Sequence, residues 1–466
     1  MARPTAPVRS LLLILLLGGC NLAPPYVQPQ APIANTFSEP AYPEPAPPGG
    51  RLATEIEWRN FFGDPQLKAY IGAALTNNRD LWAASARIAQ AEAQYRIQNA
   101  QRFPQVNGVA AASRQRFPTV AGPVTNNFFA AEGGVASFEL DFWGRVANLT
   151  EAARRQYLAS EDAQRAFRLS LIASVAATYY AIRSGEEGIA LSERTLVSRR
   201  HVQEIARARL DAGVTSQSDY DQTAVLVTQA ESQLSVLRLT TEQARHLLTT
   251  LVGGPMTGSL PPGRGTADAD QFAALDPGLP SALLMTRPDV RAAEEQLRAA
   301  NANIGAVRAT FFPTISLTAA FGYASPELSN LFTSASRNWT YGAAAALPLF
   351  DWGRRRALVA QAKGARDELV ANYETAVQQA FRQVADGLTG RRELDEQIRV
   401  QERAVAIQQN LADTAELRYD SGVAIYLEVL DAERNLFTAQ QQLIALRAAA
   451  LQNGVALYTA LGGGDV

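Results

Sequence analysis

The sequence predicts a mixed but mostly α-helical fold, in which long coiled-coil helices are joined to a few β-strands. The first observation behind this prediction is a set of short motifs that recur at one constant offset along the chain. The second is a long run of good helix formers after each copy of one of those motifs. The third is a seven-residue spacing of apolar pairs near the C-terminus, which is typical of coiled coils.

The repeated motifs lie 209 residues apart, as the residue numbers 103 and 312 show. They are Phe103-Pro104 and Phe312-Pro313, Trp143-Gly144-Arg145 and Trp352-Gly353-Arg354, Asp211-Ala212-Gly213-Val214 and Asp420-Ser421-Gly422-Val423, and Asp80-Leu81 and Asp289-Val290. This period is far longer than that of a solenoid repeat and indicates a duplicated domain. We therefore divide the mature chain into a first repeat (51–251), a connector (252–288), a second repeat (289–461) and a tail (462–466), and expect the repeats to occupy equivalent positions in a ring.

Each repeat is predicted to begin with a helix and two strands. The helix covers 80–102 in the first copy and 289–310 in the second, and it ends at Phe-Pro because proline disfavours helix in the residue before it. The predicted strands are 105–113 and 127–140, then 314–324 and 339–350, joined by polar loops at 114–126 and 325–338. Four strands cannot close a barrel, whereas three chains would supply twelve. If the strands face lipid, the sequence therefore favours an oligomer.

A long helical hairpin follows in each copy. Its first helix covers about 145–210 in the first copy, where a break is predicted near Gly185 and Gly188. In the second copy it covers 354–420 and carries Gly387 and Gly390, and the returning helix covers 218–251 and 426–461. The glycine of each Asp-x-Gly-Val motif is expected to end the first helix. In the last helix the apolar pairs are Val429/Leu430, Leu436/Phe437, Leu443/Ile444, Ala450/Leu451 and Leu457/Tyr458.

The N-terminus is predicted to be a signal peptide of residues 1–19. Arg3 and Arg9 precede an apolar run that is too short to span a bilayer as a helix. Leu17-Gly18-Gly19-Cys20 resembles a lipobox, so Cys20, the only cysteine, is the predicted lipidation site. The alternative is an ordinary signal with a chance cysteine. Residues 20–50 are rich in proline and are expected to form a lipidated, extended tether.

The composition gives no support for catalysis or for nucleic-acid binding. The net charge is −2, so nothing suggests a polyanionic partner. The two histidines, His201 and His246, stand alone in helical runs, and no group of residues has metal-ligand spacing. We therefore predict no enzyme activity, no metal site and no cofactor other than the lipid on Cys20.

One polar set lies just after the second turn. Leu427, Asp431 and Arg434 share one helix face by their spacing of four and three residues. The simplest interpretation is a solvated face with an ion pair between Asp431 and Arg434.

Several motifs resemble the outer-membrane efflux protein family of the TolC type, and most closely its NodT-like and OprM-like lipoprotein branch. They are the lipobox, Trp58, Phe62-Gly63-Asp64-Pro65, Leu67, Leu251-Val252-Gly253, Gly278-Leu279-Pro280-Ser281 and Arg287-Pro288-Asp289-Val290. The resemblance covers nearly the whole mature chain. It implies a homotrimer with a 12-stranded β-barrel in the outer membrane and a helical α-barrel in the periplasm. It also implies a periplasmic adaptor (membrane fusion protein) and an inner-membrane transporter of the resistance–nodulation–division (RND) type as partners.

The resemblance also implies roles for residues at the hairpin tips. Leu427, Glu428, Asp431 and Arg434 would line a closed periplasmic aperture, where three Asp431 side chains would form an acidic ring. Tyr419, Ser218 and Asp219 match a hydrogen-bond network that holds the tip closed, although Ala424 stands where the family has an arginine. The turns with Gly213, Val214, Gly422 and Val423 would contact the adaptor; alternatively they are plain helix caps.

The predicted function is a passive, gated exit duct of a tripartite efflux pump that carries drugs or other small molecules. The protein is expected to be lipid-anchored, to span the outer membrane and to extend into the periplasm. Two alternatives keep the fold and assign efflux of heavy-metal cations or type I protein secretion. A third is a non-channel periplasmic structural lipoprotein.

Overall fold

A computed structural model describes residues 21–30, 33, 51–120, 122–256, 258–268, 271–276 and 287–464. The predicted signal peptide, the lipidation site Cys20, most of the tether and the Gly278–Ser281 motif lie outside these residues.

The secondary structure begins with β1 (Arg51–Leu52), a 3₁₀ helix (Ala53–Glu55), α1 (Trp58–Phe61) and α2 (Pro65–Asn77). The first repeat contains α3 (Arg79–Ala100), β2 (Asn107–Thr119), β3 (Gly122–Leu140), α4 (Arg145–Asp211) and α5 (Gln217–Val252), and β4 (Leu275–Asp276) lies in the connector. The second repeat contains α6 (Pro288–Ala309), β5 (Thr314–Ser325), β6 (Arg337–Ala346), α7 (Arg354–Asp420) and α8 (Tyr426–Ala460). Helices α3 and α6, and likewise α4 and α7, begin and end 209 residues apart, which confirms the duplication and the mostly helical fold class.

The break predicted near Gly185 and Gly188 is wrong, because α4 runs without interruption for 67 residues. Helix α7 likewise continues through Gly387 and Gly390 for 67 residues. Their glycines serve close packing instead. A Cβ at Gly185 would lie 2.2 Å from the Thr241 hydroxyl oxygen, and one at Gly390 would lie 2.3 Å from the Asn453 side chain. Glycine at these positions therefore lets the two helices of a hairpin approach each other, which a helix tolerates once packing compensates its low propensity.

The four long strands form one antiparallel sheet in the order β2-β3-β5-β6. The polar loop predicted at 114–126 is wrong: β2 and β3 pair from Asn107 opposite Gly134 to Thr119 opposite Gly122, so strand pairing extends through most of it. Polar side chains misled the prediction, since a strand with solvent beside it carries them readily. The loop at 325–338 is mostly confirmed, with two 3₁₀ turns at Leu328–Asn330 and Ser334–Ser336, but β6 begins at Arg337 and ends at Ala346.

Strands β5 and β6 have one mainly apolar and one mainly polar face over residues 316–322, where residues paired directly across the two strands share a face. Leu317, Ala319 and Phe321 on β5 pair with Ala343, Tyr341 and Trp339 on β6. The opposite face pairs Ser316, Thr318 and Gly322 with Ala344, Gly342 and Asn338. Among the described residues, no helix combines the length and the hydropathy that a membrane span requires.

Residues 58–71 form the centre of the largest apolar core. Trp58, Phe61 and Phe62 are almost fully buried, and Phe61 stacks on Tyr458 with ring centroids 4.1 Å apart. Asp64 caps α2, accepting from the amides of Gln66 and Leu67 at 2.7 and 3.2 Å. The connector joins this core: β1 pairs with β4, and the amide of Gly63 donates to the carbonyl of Gln271 at 2.8 Å.

The chain divides into two compact units. One comprises Met1–Gln30, Ala86–Asp162 and Ala292–Thr375, and the other comprises Ala31–Ser85, Ala163–Arg291 and Ala376–Val466. The sheet belongs to the first unit, and both hairpin tips belong to the second. Each unit therefore combines segments of both repeats. In the first unit, residues 21–30 have no regular secondary structure, as the tether prediction requires, but they pack on α6 instead of standing free.

Candidate gate at the tips of the helical hairpins

The two hairpin turns have the same backbone geometry. Gly213 and Gly422 adopt φ values of 72° and 73°, in the left-handed region that favours glycine. The amide of Val214 donates to the Arg209 carbonyl, and that of Val423 donates to the Arg418 carbonyl, each at 2.9 Å. This pattern is the Schellman ending of a helix, and it explains why the Gly-Val motif recurs in both repeats.

The helices that return from the two turns begin differently. Ser216 caps α5: its hydroxyl accepts from the Asp219 amide at 3.2 Å, while the Asp219 carboxylate accepts from the Ser216 amide at 3.1 Å. This is a complete capping box. The equivalent positions in the second repeat are Ile425 and Glu428, and isoleucine provides no capping side chain. Glu428 pairs with Arg418 at 3.1 Å instead.

The predicted aperture residues lie together on the first three turns of α8. Leu427 keeps 45% of its surface exposed. Asp431 and Arg434 form the predicted ion pair, with a carboxylate–guanidinium distance of 3.0 Å and both side chains about half exposed. Leu427 and Asp431 thus present an apolar group and an anion next to each other on one exposed helix face. Their role as an aperture stays a prediction.

Tyr419 and Asp219, which the resemblance places in one hydrogen-bond network, do not bond to each other in the described part of the chain. The Asp219 carboxylate instead accepts from the hydroxyls of Thr215 and Ser216, each at 2.8 Å. These hydrogen bonds, the one from Ser216 first, lower the pKa of Asp219. The Tyr419 ring lies between the Arg209 guanidinium and the Tyr426 ring, each about 5.0 Å from its centroid. Ser218 is exposed on the surface beside them.

A cavity of about 430 Å³ separates the two hairpins at the tip. Its walls are mainly apolar, with Ile205 and Val214 from the first hairpin and Ile425, Leu427 and Leu430 from the second. Tyr419 and Asp219 both line it, although they do not bond to each other. The two hairpins therefore leave a space between them beside Leu427.

The sequence did not predict a charged cluster of Arg199 and Glu433, which lies farther from the turns than the cavity. Arg199 on α4 is only 4% exposed, and it donates to the carbonyl of Leu226 on α5 at 2.8 Å. Its guanidinium also lies 5.1 Å from the centre of the Phe437 ring on α8. Burial lowers the pKa of Arg199 and raises that of Glu433, which accepts from Ser198 at 3.5 Å. Nothing in the local sequence marks Arg199 apart from its exposed neighbour Arg200.

The predicted adaptor-contact turns are exposed in both hairpins. Val214 and Val423 are 74% and 70% exposed, although both are apolar. In the chain itself, Gly213 and Gly422 have no neighbouring atom within 4 Å of the place where a Cβ would stand. The glycines are therefore required by backbone conformation, and the exposed valines are available to a partner.

Comparison with known proteins identifies the family. The sequence matches the outer membrane efflux protein family over residues 70–254 and 279–463, two segments that are again 209 residues apart. It is 41% identical to the probable efflux pump outer membrane protein TtgC of Pseudomonas putida over 96% of this chain and 93% of that protein. It is 38% identical to the cation efflux system protein CusC of Escherichia coli, covering 97% of both chains.

Solved structures agree with this assignment. The open-state outer membrane channel MtrE of Neisseria gonorrhoeae superposes with a TM-score of 0.86, at 34% identity, over 96% of this chain and 98% of that one. Likeness of this extent covers both repeats and both hairpins. The chain belongs to the outer membrane efflux protein family and is the outer-membrane component of an efflux system.

Proposed function

We propose that three copies of this chain form a passive, gated exit duct of a tripartite efflux pump. The observation that carries the proposal is the combination, in one chain, of a four-stranded sheet that is apolar on one face of β5 and β6 with two long helical hairpins. The sheet supplies a wall for the membrane, and the hairpins supply a tube that reaches toward the inner membrane.

The sheet supports a trimer because a single chain leaves it incomplete. Strands β2 and β6 lie at its two edges, and each presents unpaired backbone groups along one side. In lipid such groups must be paired, so copies must join edge to edge. Three copies of four strands give a closed twelve-stranded sheet, with the face of Phe321, Trp339 and Tyr341 toward lipid.

The helices support a trimer because they expose apolar side chains in rows. Val225, Val236 and Leu247 recur every eleven residues along α5, which places them on one helix face, and each is about half exposed. Val400, Ile407 and Leu411 form a similar exposed row on α7. Extended apolar rows on long helices mark surfaces that neighbouring helices cover. Neighbouring copies are the proposed cover.

The gate is proposed at Leu427 and Asp431. Around a threefold axis, three leucines would close the duct by contact and three carboxylates would form an acidic ring. Glu428 and Arg434 are proposed to flank this ring, and a link between Tyr419 and the Ser218–Asp219 region is proposed only for the assembled trimer. The exposed valines of the two turns are the proposed contacts of a periplasmic adaptor, which connects the duct to an RND transporter.

The cargo is proposed to be set by the partner pump. Related proteins carry names that specify toluene, solvents, antibiotics and cations, although they share this fold. We propose drugs or other small molecules as cargo, with no catalytic role for the chain. Cation efflux remains the second candidate because of the relationship to CusC and the proposed acidic ring at Asp431.

Lipidation at Cys20 is proposed from the lipobox alone. Replacing this cysteine by serine is expected to abolish incorporation of labelled palmitate while trimers still form in the outer membrane. Recovery of monomers only would contradict an anchor that is separate from assembly.

Reconstitution in planar bilayers tests the duct. The purified protein is expected to migrate as a cross-linkable trimer and to give discrete conductance steps. Tyr341→Arg, on the apolar face of β6, is expected to reduce recovery in the outer membrane, whereas Thr340→Arg on the polar face serves as the matched control. A monomeric protein without conductance would refute the duct and leave the structural lipoprotein as the better hypothesis.

A further inference from the structure

One face of α6 holds the segment of residues 22–28, which we call the strap. The face consists of Glu294, Arg298, Asn301, Gly305 and Arg308, whose spacing of four and three residues places them in one row. At one end Arg308 donates to the carbonyl of Leu22 at 3.1 Å, and farther along Asn301 donates to the carbonyl of Pro24 at 2.8 Å. The strap therefore runs antiparallel to the helix, with its backbone carbonyls bound by side chains.

The other end of the strap is held through its side chains. The Tyr26 hydroxyl donates to Glu294 at 3.1 Å, and the Arg298 guanidinium lies 4.9 Å from the centre of the Tyr26 ring. Burial, followed by the Glu294 carboxylate, raises the pKa of Tyr26 to about 12, so the hydroxyl stays a donor. Gln28 extends the contact to α7, where its amide donates to the Tyr373 hydroxyl at 2.9 Å.

Gly305 makes room for the strap backbone. A Cβ at this position would lie 2.6 Å from the amide nitrogen of Ala23 and 2.8 Å from its Cα. Glycine is unfavourable in the interior of a helix, so its presence in α6 needs a reason. Close approach of the strap, together with the Asn148 side chain at 2.7 Å, supplies one.

The first repeat does not offer a second site of this kind. The positions of α3 that correspond to the row are Ser85, Ala89, Glu92, Arg96 and Asn99. Arg96 stands where α6 has Gly305, and it forms an exposed ion pair with Glu92 at 2.5 Å. A long side chain therefore occupies the place that the strap backbone needs. Duplication alone would give α3 and α6 equivalent faces for the strap. The difference between Arg96 and Gly305 restricts docking to α6.

We propose that this face of α6 is a docking site for the strap and that it fixes the position of the lipid anchor. Leu22 is two residues from the proposed lipidation site Cys20, and it is bound near the C-terminal end of α6, only a few residues before β5 begins. The docked strap holds the lipid close to the membrane sheet. An undocked tether of thirty residues would instead reach about 100 Å. The inference rests on the proposed lipidation and membrane sheet.

Chymotrypsin tests docking in the full-length protein, because it cleaves after Tyr26 only when the strap is released. The wild type is expected to be cut slowly at Tyr26–Val27, as followed by mass spectrometry. Gly305→Leu is expected to be cut about tenfold faster, as loss of local protection implies. Because leucine would also meet Asn148, a double variant, Asn301→Ala with Arg308→Ala, removes two strap contacts without adding bulk and is expected to show the same change.

Two matched controls define the result. Arg96→Ala changes the equivalent position in the first repeat, and Gly364→Leu places the same bulk on α7 where no atom lies within 4 Å. Both are expected to be cut at the wild-type rate. Equal cleavage of all variants, whether fast or slow, would overturn the docking site. Conductance measured on the same preparations separates this outcome from a failure of the duct, because release of the strap leaves the lumen unchanged.

Discussion

The two hairpin tips share their turn geometry but differ in how the returning helix begins. In the first, Ser216 and Asp219 close a capping box at the start of α5. In the second, α8 starts at Tyr426 behind an isoleucine that caps nothing, and its first turns carry Leu427 and Asp431. The equivalent residues of the first hairpin are Ser218 and Gln222, which are neither apolar nor charged. The first hairpin therefore has a capped returning helix and the second has a returning helix without a side-chain cap. The proposed gate lies on the helix without the cap.

The largest effect is expected on conductance. Asp431→Ala or Leu427→Ala should raise the resting conductance of the trimer in planar bilayers severalfold, because each removes a group proposed to close the aperture. Gln222→Ala, at the position of the first hairpin that corresponds to Asp431, should leave conductance unchanged. If the α8 variants and Gln222→Ala had the same resting conductance, the gate would not lie on this face of α8.

Arg199 should have the largest effect on stability. Arg199→Met removes the hydrogen bond to the Leu226 carbonyl and the cation that offsets burial of Glu433, so it should lower the free energy of unfolding by about 2 kcal/mol. The control is Arg200→Met, which breaks an exposed pair with Glu231 and should cost less than about 1 kcal/mol. Urea unfolding measures both. Similar losses would mean that Arg199 does not fasten the hairpins.

Substitutions at the two N-cap positions can exchange the capping pattern between the hairpins. Ile425→Ser places a serine three residues before Glu428 and completes a capping-box sequence on α8, which should stabilise this helix by about 1 kcal/mol and reduce spontaneous opening. Ser216→Ala should cost α5 a similar amount. Single-channel recording and urea unfolding report the two effects. An unchanged open fraction in Ile425→Ser would show that fraying of α8 does not contribute to opening.

The smallest effect concerns pH, where the two hairpins should differ in sign. Burial raises the pKa of Glu433 above its usual value of 4.5, so its contribution to stability is full below that value and is lost as pH rises through the folded-state pKa. Hydrogen bonds lower the pKa of Asp219 below 3.8, so its contribution is present above that value and is lost as pH falls through the folded-state pKa. Unfolding midpoints of Glu433→Gln should lose the first dependence and keep the second.

Much of the fold follows from local sequence. Glycine in the Asp-x-Gly-Val motif predicts the turns because few other residues adopt a positive φ, and proline after phenylalanine predicts the ends of α3 and α6. The ion pair of Asp431 and Arg434 follows from helical spacing. These features depend on neighbours in the chain, and both backbone motifs occur in each of the two repeats.

Other features depend on partners far away in sequence. Local propensity predicts a break at Gly185, yet the closeness of Thr241 makes it a packing residue inside a continuous helix. The polarity of residues 114–126 predicts a loop, yet strand pairing extends through them. The resemblance pairs Asp219 with Tyr419, yet in the chain itself the nearby Ser216 takes the Asp219 carboxylate.

By itself, the sequence determined the duplication, the two hairpins, the four strands and the family, because each depends on short-range chemistry repeated at one offset. Only the tertiary structure decided how the equivalent positions of the two repeats differ in burial and packing. Arg199 is distinguished from Arg200 by burial alone, and Gly305 from Arg96 by the strap that packs on α6. Two copies with nearly the same local signals diverge because long-range packing gives their equivalent positions different surroundings.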